Sequence, residues 1–263
     1  MNIEFNNRSL LVNTEYNLIV APVNNNTSEI QVDSEPQTKT RTIEITSEEK
    51  SFLMDIYNRP FISISERYKS MNLSAGKGTR IVKSLVRKNL CKIVEINLGG
   101  KGGNTKFLIL TEKAFETIVM PEQQFHTKGG GFEHYFWQFK LAEHFKTMNK
   151  DWKVNIERQI MNKFIDIVIE TKDKIIGIEV ALTSVNEAIN IQKNIEAGCD
   201  FVIIACKNNK ILEEVEQIKN NLEQSKKNKV GICLLNKLLK CNSISEVIDS
   251  DLLPLIENSK ERR

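Results

Sequence analysis

Two carboxylates define the chemistry this sequence can support. Asp166 lies in the run Lys163 to Glu170 and Glu179 in the run Lys174 to Ala181, both rich in strand-forming residues. Alternation in the first run puts Ile165, Ile167 and Ile169 on one face, with Asp166, Val168 and Glu170 on the other. In the second run Ile176, Ile178 and Val180 share a face, opposite Gly177, Glu179 and Ala181. If Thr171 to Lys174 form a four-residue loop, Glu170 pairs with Ile175, and the same register sets Asp166 opposite Glu179. Directly opposed residues have Cβ atoms about 5 Å apart, and two carboxylates that close repel unless something neutralises them. Mg²⁺ (or Mn²⁺) does so naturally, because it takes one or two carboxylates plus waters and phosphate oxygens. Such an ion polarises a phosphodiester and makes a hydroxide from bound water. Glu157, on the preceding strand, points the same way if Val154 and Ile156 face the core, and would add a third acid. Alternation alone fits equally well with two acids on a solvated strand face.

Polar groups flank this pair on both sides in sequence. A helix expected from Val185 to Ala197, capped by Ser184 with Glu187 three positions on, carries Asn186, Asn190 and Asn194 at spacings of four, with Lys193 one position off that row. A polar row is unusual on a helix that packs against a sheet, and it suits a lined cleft. Upstream, Glu133, His134 and Gln138 sit on a helix expected from Phe132 to Lys146. His134 and Gln138 are one turn apart and would either touch a metal-bound water or phosphate, or simply pack.

These elements belong to a longer alternation. Strands are expected at 153–158, 163–170, 174–181, 200–206 and 230–235, and helices at 132–146, 185–197 and 210–225, in the order αβββαβαβ. Ahead of them, Thr46 and Glu49 form a capping box for a helix ending at Asn58-Arg59-Pro60. A short helix follows from about Ser65 to Met71, then a turn and a third helix from about Ala75 to Lys88. That third helix has an apolar stripe of Ile81, Val82, Leu85 and Val86, and a face carrying Lys77, Arg80, Lys83, Ser84 and Arg87. Strand-like segments 90–98 and 105–110 flank a tip of four glycines and Lys101. Helix, helix, turn, helix and a hairpin with a basic tip is the winged-helix order. Residues 1–45, with a strand-like Leu18 to Val20 and a polar stretch from Asn24 to Arg41, read as an N-terminal segment and linker, and 121–131 as a second linker.

Charge is concentrated in the first of these parts. Residues 59–106 hold eleven Lys and Arg against Glu66 and Glu95, a net +9, which leaves −6 for the rest of a chain whose total is +3. One basic segment in a near-neutral chain points to a polyanionic partner for that segment. Lys77, Arg80, Lys83 and Arg87 of the third helix, with Lys101 at the hairpin tip, are the expected DNA contacts.

Two family resemblances follow from these residues. Leu110-Thr111-Glu112-Lys113 resembles the exit from the wing in MarR-like winged-helix domains. Gly130-Gly131-Phe132-Glu133, the strand around Glu157, Phe164-Ile165-Asp166-Ile167-Val168 and Ile178-Glu179-Val180-Ala181 resemble the PD-(D/E)XK nuclease superfamily, especially its Holliday-junction-resolvase-like and restriction-endonuclease-like members. The resemblance covers roughly half the chain and implies an α/β fold: an αβββαβ core with a mixed central sheet at 132–255, behind a winged helix-turn-helix at 46–120. It implies Glu133, Asp166 and Glu179 as the catalytic acids, Mg²⁺ (or Mn²⁺) held by Asp166 and Glu179, and DNA as the substrate. The motif proline is Ile165 here, and the motif lysine is Ala181. Some members of the superfamily carry that lysine on the following helix, where this chain offers Lys193. The readings left open are a Mg²⁺-dependent DNA endonuclease, a homodimer when both strands are cut; an inactive nuclease-fold DNA-binding protein or regulator; and a DNA-processing module working with a HerA-type ATPase of a mobile element.

The remaining composition narrows the class. No apolar run reaches the roughly 18 residues that span a bilayer, and the N-terminus does not read as a signal peptide. Five cysteines without CxxC or CxxH spacing predict neither a zinc site nor a disulfide framework, and so a reducing cytoplasm.

Overall fold

The computed structural model describes residues 43–99, 103–123 and 131–244. The expected strand at Leu18 to Val20, the Lys101 hairpin tip and the segment beyond Ile244 lie outside the described residues.

Helix α1 (Ser47–Asn58) starts where Thr46 and Glu49 close a capping box: the Thr46 N–H donates to Glu49 over 2.8 Å, and the Glu49 N–H to the Thr46 hydroxyl over 3.1 Å. A second box, Ser63 with Glu66, starts α2 (Ile64–Ser70). Helix α3 (Ala75–Arg87) is capped by Ser74. It buries Ile81, Val82 and Leu85 and leaves Val86 40% exposed, so the apolar stripe is narrower than expected. The hairpin β1 (Cys91–Asn97) and β2 (Asn104–Leu110) pairs Cys91 with Leu110 and Asn97 with Asn104. Thr111 then caps α4 (Glu112–Ile118).

The second part runs α5 (Gly131–Met148), β3 (Lys153–Ile160), β4 (Lys163–Glu170), β5 (Ile175–Ala181), α6 (Glu187–Glu196), β6 (Phe201–Cys206), α7 (Asn209–Asn220), α8 (Gln224–Lys227), β7 (Val230–Leu234) and α9 (Leu235–Leu238). Its five strands lie in sequence order. β3, β4 and β5 are antiparallel; β5, β6 and β7 are parallel, joined by α6 and α7 as crossovers. The protein is therefore mixed α/β, with a five-stranded mixed sheet and a two-stranded antiparallel one. The sheet is covered on both faces, which is why β6 is apolar throughout. Phe136, Trp137 and Leu141 of α5 pack on one face with Ile167, Ile176 and Ile178; Ile191 of α6 and Val215 of α7 pack on the other with Val168 and Val202.

Two expected helices need correction, and one short helix was not expected. The Ser184–Glu187 capping box does not form: α6 begins two residues later than expected, and the Ser184 hydroxyl donates instead to Glu214 of α7 over 2.5 Å. The long helix after β6 breaks at Asn221 into α7 and α8. The one-turn α9 after β7 lacks an amphipathic repeat long enough to read.

The α1–α4 half has its own apolar core around Phe52, Leu85 and Phe115, and the outer face of its hairpin joins the core of the sheet half. Phe61 stacks at 5.0 Å from Phe139 and 5.5 Å from Phe132, and Phe107 of β2 at 4.8 Å from Phe136. Ile96 and Phe107 belong to the same buried cluster as α5 and the central strands. Gln123 adds a hydrogen bond to the Tyr57 carbonyl across 2.7 Å.

All five cysteines are buried free thiols. Among the described residues no helix is long and apolar enough to cross a membrane.

Candidate active site

The Thr171–Lys174 turn closes with the Thr171 N–H on the Lys174 carbonyl at 2.9 Å, and Glu170 pairs with Ile175 as expected. The β4–β5 ladder ends at Ile167–Ile178. One step beyond stand Asp166 and Glu179, where the two strands part. The Asp166 carboxylate takes the place of a ladder acceptor there: its Oδ2 receives the Val180 N–H at 2.8 Å.

Alternation along β4 reverses at this step. Ile167 and Ile169 lie on the α5 side, but Ile165 joins Val168 on the α6 side. A break on β3 accompanies it. Glu157, opposite Asp166 by register, has φ +48° and drops out of the β3–β4 ladder. The register that sets Asp166 opposite Glu179 is kept, and the partners of the two carboxylates come from opposite sides of the sheet. From α5, His134 Nε2 meets Asp166 Oδ2 at 2.9 Å. From α6, Lys193 Nζ lies 2.9 Å from Glu179 Oε1, and the Asn194 amide donates to that same oxygen over 2.6 Å.

The grip is one-sided on each carboxylate. Donors converge on Oδ2 of Asp166 and Oε1 of Glu179, while Asp166 Oδ1 and Glu179 Oε2 make no hydrogen bond among the described residues. These free oxygens are the fit for a hard cation that uses two carboxylates and fills its shell with water. Among the described residues no group of three or more His, Cys, Asp or Glu is arranged to hold a metal ion.

Electrostatics single out Glu179. It is 2% exposed, and burial followed by the charge of Asp166 raises its pKa to about 7, although Lys193 and Asn194 pull it down. Burial alone would lower the His134 imidazole. The hydrogen bond and charge of Asp166, with Glu179 and Glu157 behind it, outweigh burial and hold it above its usual value.

Other expected residues fall as follows. Ala181, at the motif lysine position, is fully buried between β6 and the α6 layer, and Lys193 is the lysine that reaches Glu179. Glu133 is on α5 but ion-pairs with Lys207 at 2.8 Å, and the residue of α5 bonded to Asp166 is its neighbour His134. Glu157 is hydrogen-bonded to Tyr135, whose hydroxyl pKa is raised by burial first and then by that bond. Gln138 is fully buried, and neither amide atom has a hydrogen-bond partner among the described residues.

One further acid belongs to this neighbourhood. Glu187, in the first turn of α6, is 4% exposed; burial raises its pKa, and Asp166 adds to that while Asn190, Lys193 and His134 oppose it. Its spacing from Ser184 mimics a capping box, which hides it in the sequence. The available clue is an acid in the first turn of the helix that follows the Glu179 strand.

On α3, Arg80, Lys83 and Arg87 are exposed and form no ion pair among the described residues. Lys77 is tied to Glu48. Two other basic residues of the +9 segment turn inward: Arg67 is fully buried against Asp55, and Lys88 is bound to Glu49 at 2.7 Å.

The chain matches no known family model, and no curated protein gives a significant match.

Proposed function

We propose that the protein is a DNA-binding endonuclease, with α1 to β2 serving as a winged-helix DNA reader and the five-stranded half serving as a PD-(D/E)XK-like, Mg²⁺-dependent cutting domain. The observation that carries this reading is the β4–β5 fork. Two carboxylates in register each keep one oxygen free, and a lysine from the next helix sits on one of them.

Asp166 and Glu179 would hold Mg²⁺ through Oδ1 and Oε2, and the bound ion would polarise the phosphodiester and lower the pKa of an attacking water. The chain's own groups do the rest. Lys193 brings a positive charge to the fork, where it can offset charge gathering on the scissile phosphate. His134 and the Val180 N–H fix the Asp166 carboxylate. Arg80, Lys83 and Arg87 line the exposed face of α3 and supply phosphate contacts that position the duplex. A single carboxylate pair cuts one strand at a time, so a double-strand cut calls for two copies of the chain.

The fully buried Ala181 favours a second reading, a DNA-binding protein on an inactive nuclease scaffold. One experiment separates the two. Linear, circular and branched DNA are incubated with the protein and Mg²⁺ or Mn²⁺. Cleavage that disappears in Asp166→Ala and Glu179→Ala establishes the nuclease; salt-sensitive binding with no cleavage by the wild type establishes the scaffold.

A further inference from the structure

The polar row of α6 contains one residue that the proposed chemistry does not use. Asn194 is fully buried on the face of α6 turned to the sheet, where its neighbour in the core is Ile191. A buried amide is tolerated only when its hydrogen bonds are made. Both N–H groups of Asn194 are committed, one to Glu179 Oε1 over 2.6 Å and one to the Asn190 carbonyl over 2.8 Å. Asn190 in turn donates to Glu187 at 3.3 Å. A chain of amides therefore runs from Glu179 to Glu187 along α6.

The strand beneath is cut to fit this side chain. A Cβ on Gly177 would lie 2.0 Å from Asn194 Oδ1 and 3.1 Å from its Cγ. Gly177 sits inside β5 without a positive φ, so it is a glycine for room and not for backbone freedom. It stands two residues before Glu179, on the same face of β5. An apolar side chain on α6 over an alanine on β5 would fill the space with no polar group to satisfy. The chain instead has a matched pair, Gly177 and Asn194, whose result is a donor fixed on Oε1 of Glu179.

We infer that Asn194 is a positioning residue, seated by Gly177, that holds Glu179 by Oε1 and so turns Oε2 toward the cation. This inference rests on the nuclease reading above. Lys193 shares the same oxygen, but it is a flexible ammonium that is 21% exposed; the buried amide is the rigid partner.

The test uses the full-length protein, with Mn²⁺ alone as the first probe, titrated by calorimetry at pH 8. Cleavage is then followed at varied DNA and at varied Mn²⁺. Asn194→Ala and Gly177→Ala are each expected to weaken Mn²⁺ binding about tenfold and to lower kcat by a similar factor, with the KM for DNA within twofold of wild type. In the double variant the second substitution is expected to add less than twofold, because removing the amide removes the 2.0 Å clash and leaves the new Cβ only the Cys199 Sγ, at 3.1 Å. Asn194→Ser serves as the milder change, and a cooperative melt with wild-type DNA affinity certifies that each variant is folded. Folded variants that bind Mn²⁺ and cut as the wild type does overturn the inference and leave the nuclease reading standing, and so do losses that simply add in the double variant. A wild type that neither binds Mn²⁺ nor cuts DNA overturns both.

Discussion

Lys193 Nζ lies 2.9 Å from Glu179 Oε1, bridging from the second turn of α6 back to β5. A lysine at position 181 would have to rise from a site that is fully buried between the sheet and α6. On the proposed reading the helix supplies the lysine that the strand cannot. Substituting Lys193 by Met keeps the apolar stem and removes the charge. Cleavage is expected to fall about 10²-fold, in the range of other losses of a single charge-stabilising donor, with the Kd for DNA unchanged. Single-turnover cleavage and a binding isotherm measure the two separately.

Glu179 should cost the fold stability at neutral pH. Its folded pKa is raised from 4.5 to about 7, so its ionisation is easier in the unfolded chain. The sign follows: stability falls as pH rises from about 4.5 to about 7. Glu179→Gln keeps an acceptor for Asn194 and removes the charge. At pH 8 it is expected to raise stability by on the order of 1–3 kcal/mol while abolishing cleavage. Thermal melts of both proteins at pH 5 and pH 8 should differ at the higher pH and converge at the lower.

Glu49 works in the opposite direction. Burial pushes its pKa up, but hydrogen bonds from Lys88, Ser84 and the Thr46 N–H outweigh burial and bring it down to about 2. A lowered carboxylate pKa contributes stability above about pH 4.5 that is lost as pH falls toward 2. The contribution is on the order of 3 kcal/mol for a fully formed network. Urea unfolding at pH 7, 4 and 3 should show it fading in the wild type. In Glu49→Gln this part of the acid sensitivity should be absent.

Much of this was legible in the sequence, for reasons that differ by element. The register of β4 on β5 depended on one assumption, a four-residue turn, and Thr171 closes that turn with its own N–H and hydroxyl. The α1 cap was readable because a capping box is local. The reversal of alternation at Asp166 was not, because it accompanies a left-handed backbone at Glu157, a strand away, that no residue type there announces. Asn194 is legible as an unusual polar residue on a packed helix, but nothing in the sequence pairs it with Gly177, because the two meet only in space. Lys77 and Arg67 looked like free basic residues, and only tertiary contact with Glu48 and Asp55 shows that they are spoken for.

The proposed DNA-binding face can be tested apart from the proposed cleavage. Arg80, Lys83 and Arg87 are exposed on α3, whereas Lys77 is paired with Glu48. Replacing all three with Gln is expected to reduce the slope of log K against log salt by about 2–3, roughly one for each phosphate that is no longer neutralised. Lys77→Gln should change it by well under one. Fluorescence anisotropy between 50 and 200 mM salt, with about a 20-base-pair duplex, gives both slopes.

The most direct measurement is the anomalous density of a crystal grown with Mn²⁺. A peak bound jointly by Asp166 Oδ1 and Glu179 Oε2, with Lys193 still beside the fork, is the predicted result. Well-ordered carboxylates with no peak between them, or Mn²⁺ bound elsewhere on the chain, would contradict the account.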